Sequence, residues 1–391
     1  MSKIVYLGHY CDLASSRKNS PAAVNVMSYV IDSVNKLGYE ITVVSPVQKK
    51  DGDVCCREMQ RINEKTVCIY TPTLKKPAQW NIPYRAMQKW RREWNLRREL
   101  ARTVEDGDTL LVYHSLGLMD AVWWIRRRRN IQLILQVCEL YADAESVISE
   151  QRRNKEIAYV QVADKYIFMS DMLAQILGEG KPYAVCLGDC RNVSLKSRVK
   201  TEKIHVVYAG TLDPVKGGCI NAVQAARFLN ERYHVHILGV GNEEQIDEIK
   251  RQICDISGRT SAEVTYDGIL TGNAYTAFLQ QCDIGLSTQN AEKEFNATSF
   301  PSKILSYLSQ GLRVVSARIP VIEDSDVGEF LYYYESGSPE QIAEVIQSID
   351  MNQPYNSAEI VRTLDREFRE DLKKLLAPFA ADGQDENNES I

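Results

Sequence analysis

The sequence predicts an α/β protein of two domains, each built on a parallel sheet with helices on both faces. The first observation behind this prediction is length, because 391 residues exceed the roughly 100–200 residues of an ordinary domain. The second is alternation: short apolar runs typical of buried strands alternate with stretches whose apolar residues recur at helical spacing. Such alternation is typical of a parallel sheet that helices cover on both faces.

The N-terminal half opens with a strand–helix–strand unit. Residues 3–10 and 40–46 form the predicted strands, and an amphipathic helix from Pro21 to Gly38 joins them. Further strands are predicted at residues 108–115, 131–137 and 164–170. We assign residues 1–195 to this N-terminal domain.

The C-terminal half shows the clearer alternation of strands and helices. Strands are predicted at residues 204–210, 234–241, 262–268, 283–288 and 313–318, with a helix between each consecutive pair. We assign residues 196–356 to this second domain. A helix predicted over residues 357–380 is expected to cross back to the N-terminal domain, and the acidic tail at residues 381–391 is expected to be disordered.

Composition is that of an ordinary soluble enzyme, with 44% hydrophobic and 25% charged residues. The sequence begins without the long apolar region of a signal peptide, and no run approaches the roughly 18 apolar residues of a membrane-spanning helix. We therefore predict a cytoplasmic protein. Its ten cysteines lack paired C-x-x-C spacing and fit reduced thiols.

Motifs for two other chemistries are incomplete. Three Asp-x-Asp triplets, at residues 51–53, 106–108 and 324–326, fall in predicted turns, where aspartate and glycine are common. We therefore assign no metal ligands. Gly239 and Gly241 end a strand without the third glycine of a dinucleotide fingerprint, which disfavours a dehydrogenase.

Glycines and a lysine follow the first strand of the second domain, in the segment YAGTLDPVKGG at residues 208–218. In an open parallel sheet, ligands bind beyond the carboxyl ends of the strands. Backbone amides at Gly210 and Thr211 and the Lys216 ammonium are suited to bind a phosphate there. The alternative is a tight turn with an exposed lysine.

A second candidate phosphate site is the helix predicted to begin at Pro301. Proline suits the first helical turn because an amide is not needed there, and the following amides and the helix dipole attract an anion. Ser302 and Lys303 add a hydroxyl and a positive charge. An ordinary helix start is the alternative, and it is less favoured because both features lie at the same end of one predicted sheet.

Three segments together resemble the C-terminal domain of retaining glycosyltransferases of the GT-B fold, specifically family four, which includes bacterial polysaccharide-assembly enzymes. They are YAGTLDPVKGG, HILGVG and FPSKILSYLSQGLRVVSARIPVI. The resemblance is strong over about residues 203–350. It implies two Rossmann-like domains that face each other across a cleft, a nucleoside-diphosphate sugar as donor, and no metal or other cofactor. It also implies that Lys216 binds the donor diphosphate.

Two carboxylates that the resemblance implies are absent. The family has two glutamates eight positions apart, which hold the donor sugar and the ribose, and alignment on Gly311 places Thr298 and Ser306 there. Thr211 stands where the family has an arginine. A neutral hydrogen bond contributes roughly 0.5–1.5 kcal/mol against about 1.5–3 kcal/mol for a charged one. Donor recognition is therefore expected to be weaker than in the family, or different.

The acceptor is expected at the strand ends of the N-terminal domain, where Gly8 and His9 form the first loop. By resemblance, His114 is our candidate for a group that contacts the transferred sugar or the leaving phosphate. Glu139 follows an apolar strand and is our candidate carboxylate near the acceptor, since a charge so placed needs solvent or a partner. We predict these two residues as catalytic. A structural histidine and a solvated glutamate are the alternatives.

The segment at residues 75–102 interleaves aromatic residues with many cations and is predicted to be helical. Residues 1–195 hold 28 Lys and Arg against 22 Asp and Glu, in a chain of net charge −5. Basic aromatic helices lie on anionic membrane surfaces, so we predict contact with the inner face of the plasma membrane. A solvated basic face or a partner surface is the alternative. Nucleic-acid binding is disfavoured, because the chain is acidic and no such motif is present.

The function that these features predict is transfer of a sugar, with retention, from a nucleoside-diphosphate sugar to a glycan or lipid-linked acceptor in cell-surface polysaccharide synthesis. The rival hypothesis is a catalytically silent GT-B protein that supports another glycosyltransferase, which the absent carboxylates favour. A sugar-nucleotide epimerase would need more carboxylates and histidines in the site than five histidines in the chain suggest.

Overall fold

The computed structural model describes residues 3–13, 15–18, 20–75, 82–141, 150–194, 201–214, 217–289 and 299–377. Two units divide the chain. The N-terminal unit consists of Met1–Phe168, Leu173–Cys186 and Phe368–Ile391, and the C-terminal unit consists of Met169–Met172 and Leu187–Glu367. The predicted domain boundary at residues 195 and 196 and the predicted tail at residues 381–391 lie outside the described residues.

The N-terminal unit contains an eight-stranded sheet in the order β3-β4-β2-β1-β5-β6-β7-β8. Its strands are β1 (Ile4–Leu7), β2 (Ile41–Ser45), β3 (Glu58–Asn63), β4 (Thr66–Tyr70), β5 (Thr109–Tyr113), β6 (Gln132–Val137), β7 (Lys165–Phe168) and β8 (Tyr183–Val185). Its helices are α1 (Pro21–Lys36), α2 (Ile82–Thr103), α3 (Met119–Arg126), α4 (Glu150–Val160) and α5 (Asp171–Leu177), and the first two residues of α5 belong to the C-terminal unit.

Burial explains which strands of this sheet the sequence predicts. Every residue of β1, β6 and β7 is buried, because helices cover both faces of a parallel sheet and both faces then need apolar side chains. β3 pairs with β4 in the antiparallel direction at the sheet edge and is mostly exposed. The sequence EMQRIN therefore lacks an apolar signal, and the β3–β4 pair was not predicted.

The C-terminal unit contains a six-stranded, fully parallel sheet in the order β11-β10-β9-β12-β13-β14. Its strands are β9 (Ile204–Thr211), β10 (Tyr233–Val240), β11 (Glu263–Gly268), β12 (Ile284–Ser287), β13 (Arg313–Ala317) and β14 (Tyr332–Tyr334). Its helices are α6 (Gly218–Ala225), α7 (Glu243–Ser257), α8 (Gly272–Leu279), α9 (Lys303–Ser309), α10 (Pro320–Glu323) and α11 (Pro339–Ser348). All nine predicted elements of this half are present.

A last helix, α12, spans Ser357–Leu376, where the sequence predicts a helix over residues 357–380. Its residues from Phe368 onward belong to the N-terminal unit. There the Phe368 ring packs against Tyr29 at 5.3 Å between centroids. The Lys165 ammonium donates to the Leu375 carbonyl at 2.7 Å, which satisfies an acceptor that a helix end leaves without an intrahelical partner.

Candidate functional site

β9 and β12 mark the point at which the C-terminal sheet reverses its strand order. The chain runs from β9 outward to one edge and returns at β12 to build the other, so the loops that follow these two neighbouring strands diverge and leave a crevice. Gly210 and Thr211 end β9, and Thr288 directly follows β12. The predicted residues Gly210 and Thr211 thus lie where sheets of this order bind ligands.

The Lys303 side chain lies against the end of β9. Its Nζ atom is 3.0 Å from the position that a Cβ on residue 210 would occupy, and 4.2 Å from the centroid of the Tyr208 ring. The face of the tyrosine attracts the ammonium, and glycine at position 210 leaves space for it. The structure therefore brings the predicted residues Gly210 and Lys303 together, with a positive charge at the carboxyl end of the central strand.

The positive charge of Lys303 also affects the start of α6, the helix that follows β9. Burial raises the pKa of the Cys219 thiol to about 12, and Lys303 partly opposes this rise. Cys219 is therefore a neutral, buried thiol at physiological pH. The Lys303 ammonium thus lies near both the end of β9 and the start of α6.

Tyr307 holds α9 against the sheet. Its buried hydroxyl accepts a hydrogen bond from the Ala209 amide at 2.9 Å and donates one to the Leu286 carbonyl at 3.4 Å. Its ring fills the space beside Gly285, where any Cβ would overlap it. Because Ala209 is in β9 and Leu286 is in β12, these bonds fix the helix that carries Lys303 relative to both strands of the crevice.

Hydrogen bonds also connect the end of β12 to the start of α6 at the crevice. The Thr288 hydroxyl donates to the Gly218 carbonyl at 2.6 Å, and the Asn221 side-chain amide donates to the Thr288 carbonyl at 3.2 Å. Gly217 precedes α6 with a φ of +69°, a left-handed conformation that favours glycine. The start of α6 is thereby held beside the end of β12.

The remaining predicted donor residues differ in what the structure shows. Ser302 is the N-cap residue of α9 and makes no capping hydrogen bond through its side chain. The Ser306 hydroxyl is one turn further along α9 and donates to the Ser302 carbonyl of the same helix at 3.5 Å. Lys216 and Thr298 lie outside the described residues. As donor ligands, these four residues and Thr211 stay predictions.

Gly8 and His9 follow β1, the central strand of the N-terminal sheet, where its strand order reverses toward β5. A Cβ on residue 8 would lie 2.8 Å from the Met27 sulfur, so glycine permits close packing of α1 on the strand end. Burial lowers the pKa of His9 to about 4, and the Arg92 guanidinium adds to the shift. His9 is therefore a neutral imidazole at pH 7.

His114 lies after β5 and is buried. Its Nε2 atom is 2.8 Å from Oε1 of Glu156 on α4, an equally buried carboxylate. The same carboxylate oxygen accepts the Tyr141 amide at 2.9 Å, and the Tyr141 hydroxyl donates to the His114 carbonyl at 3.2 Å. Among the described residues, none bonds to Nδ1 of His114. Its prediction as a catalytic residue stays untested.

Glu139 follows β6, as predicted, and is half-buried. It lies close enough to Cys138 and Tyr141 to contribute to the rise of both pKa values, for which burial is the larger cause. A carboxylate with these neighbours is neither fully solvated nor deep in the core. Its prediction as a second catalytic residue is also untested.

Three contributors to these strand ends were missed in the sequence. The Tyr208 ring contacts Lys303, and the Glu156 carboxylate bonds to His114. Arg92 of α2 lies near the loops of the N-terminal unit. One of its guanidinium nitrogens is 3.7 Å from the position that a Cβ on Gly117 would occupy. Only Tyr208 carried a signal, since it is an aromatic residue two positions before Gly210. The other two act from helices distant in sequence.

Helix α2 presents an exposed aromatic face. Trp90 and Trp94 are 64% and 55% exposed and stack at 6.0 Å between ring centroids, whereas Leu96 and Leu100 of the same helix are buried. The predicted residues 76–81 of this segment lie outside the described part. No helix in the described part of the chain is long and apolar enough to cross a membrane.

The two units, each an α/β domain built on a parallel sheet, have the GT-B fold of solved glycosyltransferases. Solved glycosyltransferases share this fold over nearly the whole chain. An α,α-trehalose-phosphate synthase (UDP-forming) from Burkholderia xenovorans, in complex with glucose-6-phosphate, is 9% identical, with 96% of this chain and 100% of that chain covered and a TM-score of 0.69.

Two further structures are similar over the same extent. The trehalose-6-phosphate synthase of Burkholderia multivorans is 12% identical, with a TM-score of 0.67 and 96% of each chain covered. A glycosyltransferase from Rickettsia africae is 11% identical, with a TM-score of 0.63, 96% of this chain and 97% of that chain covered. No protein-family model and no curated protein sequence matches the chain. The predicted GT-B fold with two parallel-sheet domains is confirmed, and the likeness to family four stays a prediction.

Proposed function

We propose that the protein is a glycosyltransferase whose donor is a nucleoside-diphosphate sugar. The observation that carries the proposal is the Lys303 ammonium held against Gly210 and Tyr208 at the carboxyl end of β9. When the sugar departs, negative charge develops on the diphosphate, and a preorganised cation stabilises that charge without reorganising during the reaction. The solved proteins of the same fold support the proposal, since two of those named above are trehalose-phosphate synthases.

In the proposed reaction, Lys216 and Lys303 share the charge of the leaving diphosphate, and Ser302 offers a hydroxyl to it. Transfer with retention and without a metal belongs to the same proposal, and rests on the resemblance at residues 208–218 and 300–322. The hydrogen bonds of Tyr307 to β9 and β12 hold the helix that carries Lys303 against both strands.

The base of the donor is the first thing to test. Wild-type protein and a Lys303→Ala variant are screened by thermal shift against UDP-, GDP-, ADP- and CMP-sugars. UDP-sugars come first, because one similar structure is a complex with UDP-2-fluoro glucose. We expect sugars of one base to raise the Tm of the wild type, and to raise that of the variant much less. No rise with any of the four would contradict the proposal.

A catalytically silent GT-B protein is the second candidate, and the placement of Ser306 favours it. This residue occupies the position of the ribose-binding glutamate implied by the resemblance, but its hydroxyl donates to the Ser302 carbonyl of its own helix at 3.5 Å. The silent form binds a nucleotide sugar weakly or not at all, and it has no turnover. The test measures release of nucleoside diphosphate with sugar-phosphate, glycan and lipid-linked acceptors. Binding of a nucleotide sugar without release with any of these acceptors would identify the silent form.

The proposed acceptor is a glycan or a lipid-linked sugar of cell-surface polysaccharide synthesis. A phosphate-containing acceptor suits the N-terminal unit, because the Arg92 guanidinium lies near the loop of His9 and near Gly117. An Arg92→Gln variant is expected to raise the KM for a phosphorylated acceptor and to leave the KM for the donor unchanged. Equal changes in both values would contradict this placement of the acceptor.

We also propose that α2 places the protein on the anionic inner face of the plasma membrane. Trp90 and Trp94 are exposed among basic residues of the same helix, a combination that binds at the lipid headgroup level. Co-sedimentation with anionic liposomes should fall when both are changed to alanine. A Phe228→Ala variant, which removes an exposed aromatic residue of the other unit, should sediment as the wild type. Equal recovery with neutral and anionic liposomes would contradict the proposal.

A further inference from the structure

Three of the five histidines of the chain meet on one face of the C-terminal sheet. His205 is in β9 and His234 is its register partner in the neighbouring strand β10. His236 points to the same face as His234, because side chains alternate along a strand. The ligand nitrogens of the three side chains all lie within 4.8 Å of one another. Sheet register, rather than sequence proximity, assembles this three-histidine cluster.

The two closest nitrogens already face each other. Nδ1 of His205 is 2.9 Å from Nε2 of His236, a hydrogen-bond distance at which one proton is shared. Tetrahedral zinc binds imidazole nitrogens at about 2.0–2.1 Å, which separates two ligand nitrogens by about 3.3 Å. A metal ion in place of the shared proton therefore requires the rings to move apart by only a fraction of an ångström.

The other nitrogen of His236 has the partner that metal-binding histidines usually have. Its Nδ1 atom is 3.2 Å from a carboxylate oxygen of Asp267 in β11. The Thr265 hydroxyl donates to the same oxygen at 2.9 Å. A carboxylate at this position fixes the tautomer and the orientation of the ring, so that the opposite nitrogen is directed at the metal.

We propose that His205, His234 and His236 form a binding site for a divalent transition metal ion of the zinc class, with the fourth position open to water. Imidazole nitrogens are typical ligands of zinc, copper and nickel. Magnesium and calcium prefer oxygen ligands such as carboxylates, so three histidines do not favour them. The site lies at the amino end of β9. Gly210 is five positions after His205, or about 16 Å along a strand. The metal therefore braces β9 against β10 and does not contact the donor diphosphate.

The test uses untagged, full-length protein treated with EDTA and then titrated with Zn²⁺. We expect a single equivalent to bind and to raise the Tm. His205→Gln removes a ligand from a partly exposed position and should abolish the rise, and Asp267→Asn should weaken zinc binding about 10- to 100-fold. His9→Gln is the matched control, since it removes a histidine outside the cluster and should bind zinc as the wild type. Tm values in EDTA establish that each variant is folded.

Co²⁺ spectra separate the histidines from the exposed thiols Cys56 and Cys254. The proposal predicts visible d–d bands of a nitrogen-ligated ion, without the near-ultraviolet charge-transfer band of a thiolate. Three results would overturn it: no binding of Zn²⁺ by the wild type, undiminished binding by a folded His205→Gln variant, or a thiolate band that accounts for the bound cobalt.

Discussion

Both sheets reverse their strand order at a central strand, β1 in one unit and β9 in the other. The polar groups at the carboxyl ends of the two sheets differ. In the N-terminal unit, His114 after β5 bonds to Glu156 of α4, and Tyr141 after β6 bonds to both residues. In the C-terminal unit, glycine at position 210 leaves space in which the Lys303 ammonium lies on the Tyr208 ring. The comparison indicates that a similar strand order fixes where the strand ends lie, whereas a few side chains decide which polar groups lie there.

The largest effect, on the rate of sugar transfer, is expected from removing the Lys303 charge at the carboxyl end of β9. Lys303→Ala should lower the rate of sugar transfer by roughly 100- to 1,000-fold, the usual loss when one group that stabilises developing negative charge is removed. Steady-state kinetics with the identified donor measure it. Lys250→Ala is the matched control, because Lys250 also lies near a tyrosine, Tyr266, at 5.9 Å, but on the exposed surface of α7. An equal loss of transfer rate in Lys303→Ala and Lys250→Ala would contradict a specific role for Lys303.

The next effect concerns the packing that positions Lys303. Gly285→Ala should lower the free energy of unfolding by about 3 kcal/mol, because a Cβ there overlaps the Tyr307 ring and overpacking of this kind is strongly destabilising. Chemical denaturation measures the loss. Gly258→Ala is the control, since no atom lies within 4 Å of the position that a Cβ would occupy there and its φ is −83°. A Gly285→Ala protein as stable as this control would show that α9 is not held by the contact.

A smaller loss is expected from the buried network of the N-terminal unit. His114→Ala leaves the Glu156 carboxylate without one of its hydrogen-bond partners, at a cost of about 1–3 kcal/mol in the free energy of unfolding. A purely catalytic His114 would instead lower turnover and leave stability unchanged. Denaturation and kinetics of the same variant, compared with Glu156→Gln, distinguish these outcomes.

The smallest expected effect is a change in pH dependence at His9. Its pKa is about 4 in the folded protein against 6.5 when unperturbed, so the unfolded state binds more protons between these two values. Stability should therefore rise with pH across this window, and His9 contributes about 1 kcal/mol from pH 5 to pH 6. His9→Gln should flatten the rise in denaturation experiments. A slope identical to that of the wild type would mean that His9 is solvated.

Apolar strands and glycine-rich strand ends could be predicted from sequence, and contacts between distant elements could not. β1 and β6 are buried on both faces, so their composition alone identifies them. Gly210 was predicted at a ligand-binding position because it follows such a strand. The edge strand β3 carries no comparable signal, since its exposed face leaves its composition unconstrained.

The side-chain partners in the two sites depend on tertiary packing. Lys303 was predicted beside a phosphate, but its contact with Tyr208 joins residues far apart in the chain. His114 was predicted at a strand end, and its partner Glu156 lies on a helix with no motif around it. The His234-Val235-His236 pattern is visible in the sequence, whereas the third histidine, His205, depends on the register of β9 with β10.

The central claim is that the carboxyl end of β9 binds the diphosphate of a nucleotide-sugar donor through Lys303. Calorimetric titration of the nucleoside diphosphate selected by the thermal-shift screen, into wild type, Lys303→Ala and Lys250→Ala, tests it most directly. We predict a loss of affinity of about 10- to 100-fold in Lys303→Ala, the equivalent of one charged hydrogen bond, and none in Lys250→Ala. Equal affinity in the wild type and a folded Lys303→Ala protein would contradict the claim.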